Sequence, residues 1–140
     1  MTTSTSTKYF NLHTSGIGYV SRIREVVVKR GTPFLACNIS ALHGAADAVE
    51  YTKFDCRVSG GEADKLIRRC MDAVAAEKKV LVGFNLGDLY PDLYTKADGS
   101  TAVSLKARLL RIDWIKIDGQ HVYTAPKRDA VDAEAAVEAA

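Results

Sequence analysis

Cysteine, proline, histidine and tryptophan are all scarce in this chain, with three, three, three and one among 140 residues. Cys37, Cys56 and Cys70 are odd in number and widely separated. That excludes a disulfide framework and a cysteine-based zinc site, and the three read as buried, reduced thiols. His13, His43 and His121 are scattered, with none at the i, i+4 spacing of a helical metal pair, so neither a metal nor a cofactor is expected. No apolar run reaches membrane-spanning length. The opening MTTSTSTKYF is polar where a secretion signal would be apolar, which points to the cytoplasm.

Catalytic signatures are missing as well. The sequence has no nucleophile elbow, no Walker loop and no HExxH. SGG at Ser59 lacks the lysine of a phosphate loop, and GIG at Gly16 to Gly18 lacks the third glycine of a dinucleotide site. Asp88 and Asp92 flank LYP, and turn chemistry explains both. No nucleophile–base pair emerges, and the chain is not expected to be an enzyme.

What remains is an ordinary globular composition, 47% hydrophobic and 26% charged, of one domain's length. The net charge of +2 conceals an asymmetry. All nineteen Lys and Arg lie between Lys8 and Arg128, whereas Asp129, Asp132, Glu134 and Glu138 fall in the last twelve residues. Nineteen bases against thirteen acids leave the body at +6, and the four remaining acids leave the tail at −4. A basic body favours a polyanionic partner; a solvated surface with a solubilising tail fits the charge alone equally well.

Residues 1–8 are Thr- and Ser-rich and expected to be disordered. A β-rich domain should occupy 9–124 and an acidic, Ala-rich tail 125–140. GIGYVSRIREVVV is dense in β-formers and predicts a strand over about 17–28. KRGTP is a turn, and FLACNISALHG a second strand antiparallel to the first. EYTKFDCRV alternates, with Thr52, Phe54, Cys56 and Val58 expected inward and Tyr51, Lys53, Asp55 and Arg57 outward. The period then becomes helical over about 61–77, with Ala63, Leu66, Ile67, Cys70, Met71 and Val74 on one face. Ser59 and Glu62 are spaced as its capping box. KKVLVGFNLGDLY is a fourth strand. PDLYTKADGST is a turn-rich excursion with Asp98-Gly99 at a hairpin tip, and SLKARLLRIDWIKIDG is the fifth strand. QHVYTAPKRD leads out.

The order β-β-β-α-β-β is that of an OB-fold, a five-stranded Greek-key barrel. The fifth strand carries a mark of such closure. Val103, Leu105, Ala107 and Leu109 alternate in one phase, and Leu110, Ile112 and Trp114 in the other. A one-residue slip is the signature of a β-bulge, expected near Leu109-Leu110.

Cations and rings recur on nearly every strand. Single strands are held by a cationic groove and by flat rings on which bases stack. The candidate cations are Arg22, Arg24, Lys29, Arg30, Lys53, Arg57, Lys106, Arg108, Arg111 and Lys116. The candidate rings are Tyr19, Tyr51, Phe84, Tyr90, Tyr94 and Trp114. Trp114 fits core and surface equally, and Phe84 leans toward the core. Tyr90 and Tyr94 lie in the excursion, which in an OB-fold is a ligand-gripping loop.

YFNLHTSGIGYVSRIREV, FLACNISAL, VEYTKFDCRVSG, KVLVGFNLGDLYPD and VSLKARLLRIDWIKIDG together resemble a family encoded on bacterial integrative and conjugative elements. Its members are labelled element replication proteins or a domain of unknown function. The likeness spans residues 8–123. In element order, in strands that interleave rings with cations and in its acidic tail, the chain also resembles bacterial single-stranded-DNA-binding proteins. It departs from them in ending VEAA, without a terminal aromatic, and in lacking a Gly/Gln-rich linker. These readings imply a single-stranded-DNA-binding accessory of element replication or transfer, expected to form a homo-oligomer because strand edges invite pairing. The alternative is an interaction module that docks replication or conjugation proteins without touching DNA.

Overall fold

A computed structural model describes residues 10–125. The expected disordered segment 1–8, and all but the first residue of the expected tail 125–140, lie outside the described residues. The order is β1 (His13–Val26), β2 (Phe34–His43), β3 (Glu50–Val58), α1 (Gly61–Ala75), β4 (Val80–Thr95), β5 (Thr101–Ile117) and β6 (Gln120–Thr124). The chain is thus mainly β with one helix, and it has one strand more than the sequence reading gave. QHVYT is not a lead-out. The Asp118-Gly119 turn, with positive φ at both residues, folds it back antiparallel onto β5.

The sheet order is β3-β2-β1-β4-β5-β6, antiparallel except that β3 also pairs in parallel with the first half of β5. The pairings β3–β2–β1–β4–β5–β3 therefore form a closed circuit, with β6 appended. β5 serves two neighbours because it is long and bends. Against β4 it carries two extra residues, one at Leu110 where the slip was expected and a second at Asp113. The second was missed. It turns Ile115 inward and Trp114 outward, so the inward set is Ala107, Leu109, Ile112 and Ile115. A third irregularity lies on β4 at Asp88, whose φ is 54°.

β4 corrects the sequence reading most. The chain does not leave the sheet after Tyr90; it continues to Thr95, and β4 and β5 form a long hairpin. Pro91 is tolerated because β1 stops pairing at Gly87, and beyond it that edge of β4 has no partner strand among the described residues. Asp88 and Asp92 consequently sit within a strand, not around a turn. The tip is where it was expected: Lys96 N donates to the Ser100 carbonyl, and the Asp98 carboxylate accepts from Ser100.

The core holds Leu35, Ile39, Phe54, Leu66, Ile67, Val82, Phe84, Leu86 and Leu109, all at most 7% exposed. Phe84 meets Phe54 edge-on at 6.4 Å, so it is a core ring and is withdrawn from the candidate stacking surfaces. Cys37, Cys56 and Cys70 are free and buried, and burial pushes the Cys37 thiol up to about 12. α1 packs on β1 and β5 through Ala63, Leu66, Ile67 and Cys70. Its capping box does not form. Gly60 is the N-cap at φ 92°, and the Ser59 N–H remains bonded to the Leu109 carbonyl. The sharp strand-to-helix corner needs a residue without a Cβ, and that demand outranks side-chain capping.

Candidate nucleic-acid interface

Alternation on β3 sends Tyr51, Lys53, Asp55 and Arg57 outward while Phe54, Cys56 and Val58 enter the core. The parallel register with β5 then places Lys106 beside Asp55 and Arg108 beside Arg57. From β1, Arg24 reaches the same spot. Its Nη2 donates to Asp55 Oδ1 at 2.8 Å, and its Nη1 donates to the buried Asn38 Oδ1 at 3.3 Å. Lys106 Nζ donates to Asp55 Oδ2 at 3.1 Å. Burial works to raise the Asp55 carboxyl, but the hydrogen bonds and charges of Lys106 and Arg24 prevail and hold it below its ordinary value.

Around this triad opens a groove of about 560 Å³, lined among others by Arg24, Phe34, Asp55, Arg57, Asp88, Tyr90, Lys106 and Arg108. The Arg57 guanidinium lies 4.2 Å from the Phe34 ring centroid, a cation–π contact that fixes its plane. Arg108 Nε stands 3.5 Å from Asp88. Tyr90 is half exposed on the wall. Four cations thus share one concavity with two carboxylates, leaving it net positive.

A second region occupies the outward face of β1, β4 and the end of β5. Trp114 pairs with Gly83, where a Cβ would come within 2.6 Å of the indole Nε1. The missing side chain is what lets the ring lie across β4. Lys116 Nζ sits 5.7 Å from the indole centroid. Register continues the row from Lys116 through Leu81 and Tyr19 to Ser40 and Lys53.

The family model described as a protein of unknown function (DUF3577) matches residues 3–131. The chain belongs to the DUF3577 family. No curated protein matches it.

In this DUF3577 chain the fifteen residues expected to bind nucleic acid fall into three groups. Arg24, Arg57, Tyr90, Lys106 and Arg108 meet in the groove. Tyr19, Tyr51, Lys53, Trp114 and Lys116 lie on or next to the row that crosses the sheet. The structure does not bring the rest to either place as directly. Arg22 occupies the β1 bulge at φ 49°, and Lys29 and Arg30 are exposed in the β1–β2 turn. Tyr94 is exposed near the hairpin tip, and Arg111 engages Asp113 at 2.8 Å. Sequence reasoning missed Phe34, Asn38, Asp55, Asp88 and Gly83. Asp55 was legible as outward, but nothing local signals that β1 and β5 converge on it. Among the described residues no group of three or more His, Cys, Asp or Glu is placed to hold a metal ion, and no helix is long and apolar enough to cross a membrane.

Proposed function

We propose that this DUF3577 protein binds single-stranded DNA, stacking bases on exposed rings and neutralising phosphates with the groove cations. The observation that carries the reading is the convergence of Arg24, Arg57, Lys106 and Arg108, from three strands, on one groove walled by Tyr90 and Phe34. Cations held by neighbours are preorganised, so less rotamer entropy is lost on binding. The closed circuit of pairings supports an OB-fold-like barrel. Followed through β2, β1 and β4, the row that starts at Lys53 reaches β5 at Lys116, whereas the direct contact of β3 with β5 joins the next residue, Phe54, to Leu105; that offset is the stagger barrel closure requires. In that fold the β1–β2 turn and the β4–β5 hairpin flank the oligonucleotide site, and here the groove lies between their bases. The resemblance to proteins of integrative and conjugative elements supports a role in replication or transfer of such an element. We expect a homo-oligomer as well, since among the described residues the β4 edge beyond Gly87 and the outer edge of β6 have no strand beside them.

The test is a charge reversal at Arg57 and Arg108, the two groove cations that do not hold Asp55. Arg57→Glu/Arg108→Glu should abolish binding to oligothymidylate in an anisotropy titration while leaving the circular dichroism spectrum unchanged. Normal binding by a folded double variant would remove the groove from the account.

One observation favours the second reading, a docking module for replication or conjugation proteins. Leu93 and Val103 face each other across the hairpin, 71% and 55% exposed. Such a module would show no oligothymidylate affinity at low salt, and capture of its partner would resist added salt.

A further inference from the structure

The groove and the Trp114 region are separate places on the outward face, yet the register joins them. From Arg57, two outward positions back along β3 lead to Lys53, a distance of about 13 Å at about 3.3 Å per residue. From Lys53 the row Ser40, Tyr19, Leu81, Lys116 crosses four strand boundaries, about 19 Å at about 4.8 Å each. That crossing row contains no acid. Nor does its neighbour, in which Tyr51 opposes Leu42, and Trp114 opposes Gly83, which opposes Ile17. The sole carboxylate on the route is Asp55, and its charge is already matched by Arg24 and Lys106. A cation stands at each end of the crossing, and the partly buried Tyr19 ring and aliphatic surface lie between. That pattern suits a chain of phosphates and bases and offers little to an acidic protein surface, which would find cations only at the ends.

We propose that one unpaired strand engages both regions at once, entering at the groove and wrapping across β2, β1 and β4 to stack on Trp114. The proposal rests on the single-strand reading given above and adds to it a route and a length. A path of about 32 Å requires about nine nucleotides at a stacked spacing of about 3.4 Å, within the roughly 4–16 that such folds occupy. Trp114 therefore reports only on strands long enough to complete the crossing.

The experiment is a length series of labelled oligothymidylates of about 3, 6, 9 and 12 nucleotides, chosen to bracket that range. Anisotropy measures binding, and quenching of Trp114, the sole tryptophan, measures arrival at the far end. The shortest oligomers should bind with little quenching. Quenching should appear as length approaches about nine, with a gain in affinity of about tenfold or more, as one added stacked base supplies. Trp114→Ala should remove most of that gain, since the stacking contribution is the one lost when the ring is truncated. Full quenching by the shortest oligomers, or tight binding of the longest without quenching, would overturn the route while leaving single-strand binding intact. Failure of every length to bind would instead remove the reading on which the route rests.

Discussion

Replacing Asp55 with Asn separates the structural and binding roles of the groove charges. In the wild type the carboxylate accepts from Arg24 at 2.8 Å and from Lys106 at 3.1 Å, with all three side chains a quarter to a third exposed. Fully exposed pairs contribute about 0.2–1 kcal/mol each. Partial burial and direct hydrogen bonding move these two toward the upper end, and Asn retains one acceptor. The expected loss is about 1–2 kcal/mol at pH 7, a fall in Tm of about 3–8 °C. The sign with pH follows from the direction of the shift. The folded carboxyl titrates below its unfolded value of about 3.9. Its contribution is therefore full above that value and disappears as pH falls through the folded pKa, where wild type and variant should converge. Binding should move the other way. The variant removes the carboxylate charge that offsets Arg24 and Lys106, leaving both to attract phosphates, so the log–log salt slope should steepen by up to about 1.4, at about 0.7 per added phosphate on a single strand. Affinity at low salt should rise accordingly. Paired thermal melts and anisotropy titrations across salt concentration test both halves. An Asp55→Asn protein with unchanged Tm at pH 7 and an unchanged salt slope would refute the claim that this carboxylate organises the groove.

Other substitutions divide surface from core. Phe34→Ala removes the ring beneath the Arg57 guanidinium. It should weaken oligonucleotide binding by about 0.5–1 kcal/mol, the value of an exposed cation–π contact, read as a two- to fivefold change in Kd. Gly83→Ala drives a methyl into the Trp114 indole. It should cost about 1–3 kcal/mol by overpacking and shift tryptophan emission; an unshifted spectrum would mean that the ring does not lie on β4. Phe84→Ala should cost about 3–5 kcal/mol by chemical denaturation because the ring is buried against Phe54. Tyr51→Ala should stay within about 0.5 kcal/mol in stability, since the ring is 58% exposed, while losing about 1–3 kcal/mol of binding.

The legible parts of this fold were those written in local periodicity. The β3 alternation placed Phe54 and Cys56 inside and Lys53 and Arg57 outside, as found. The change to helical spacing located α1 to within two residues at its C-terminus. The slip at Leu109-Leu110 was visible because it reverses a regular pattern. The second, at Asp113, was not, because Ile112, Trp114 and Ile115 are all apolar and fit either phase. Strand β6 was too short and polar to register, and PDLYT reads as turn because proline and aspartate mislead where a strand edge is free. The groove itself was beyond reach. Its formation depends on a parallel contact between β3 and β5, some fifty residues apart, and no local pattern encodes which strands meet.

The claim that this curved outward face grips an unpaired polynucleotide is tested most directly by titrating the wild-type chain with oligothymidylate and with duplex of equal length, at about 50 mM and about 200 mM salt. The account predicts clear preference for the single strand, Trp114 quenching on binding, and affinity that falls steeply between the two salts. Absence of single-strand binding at the lower salt, or equal and salt-insensitive affinity for both, would contradict it.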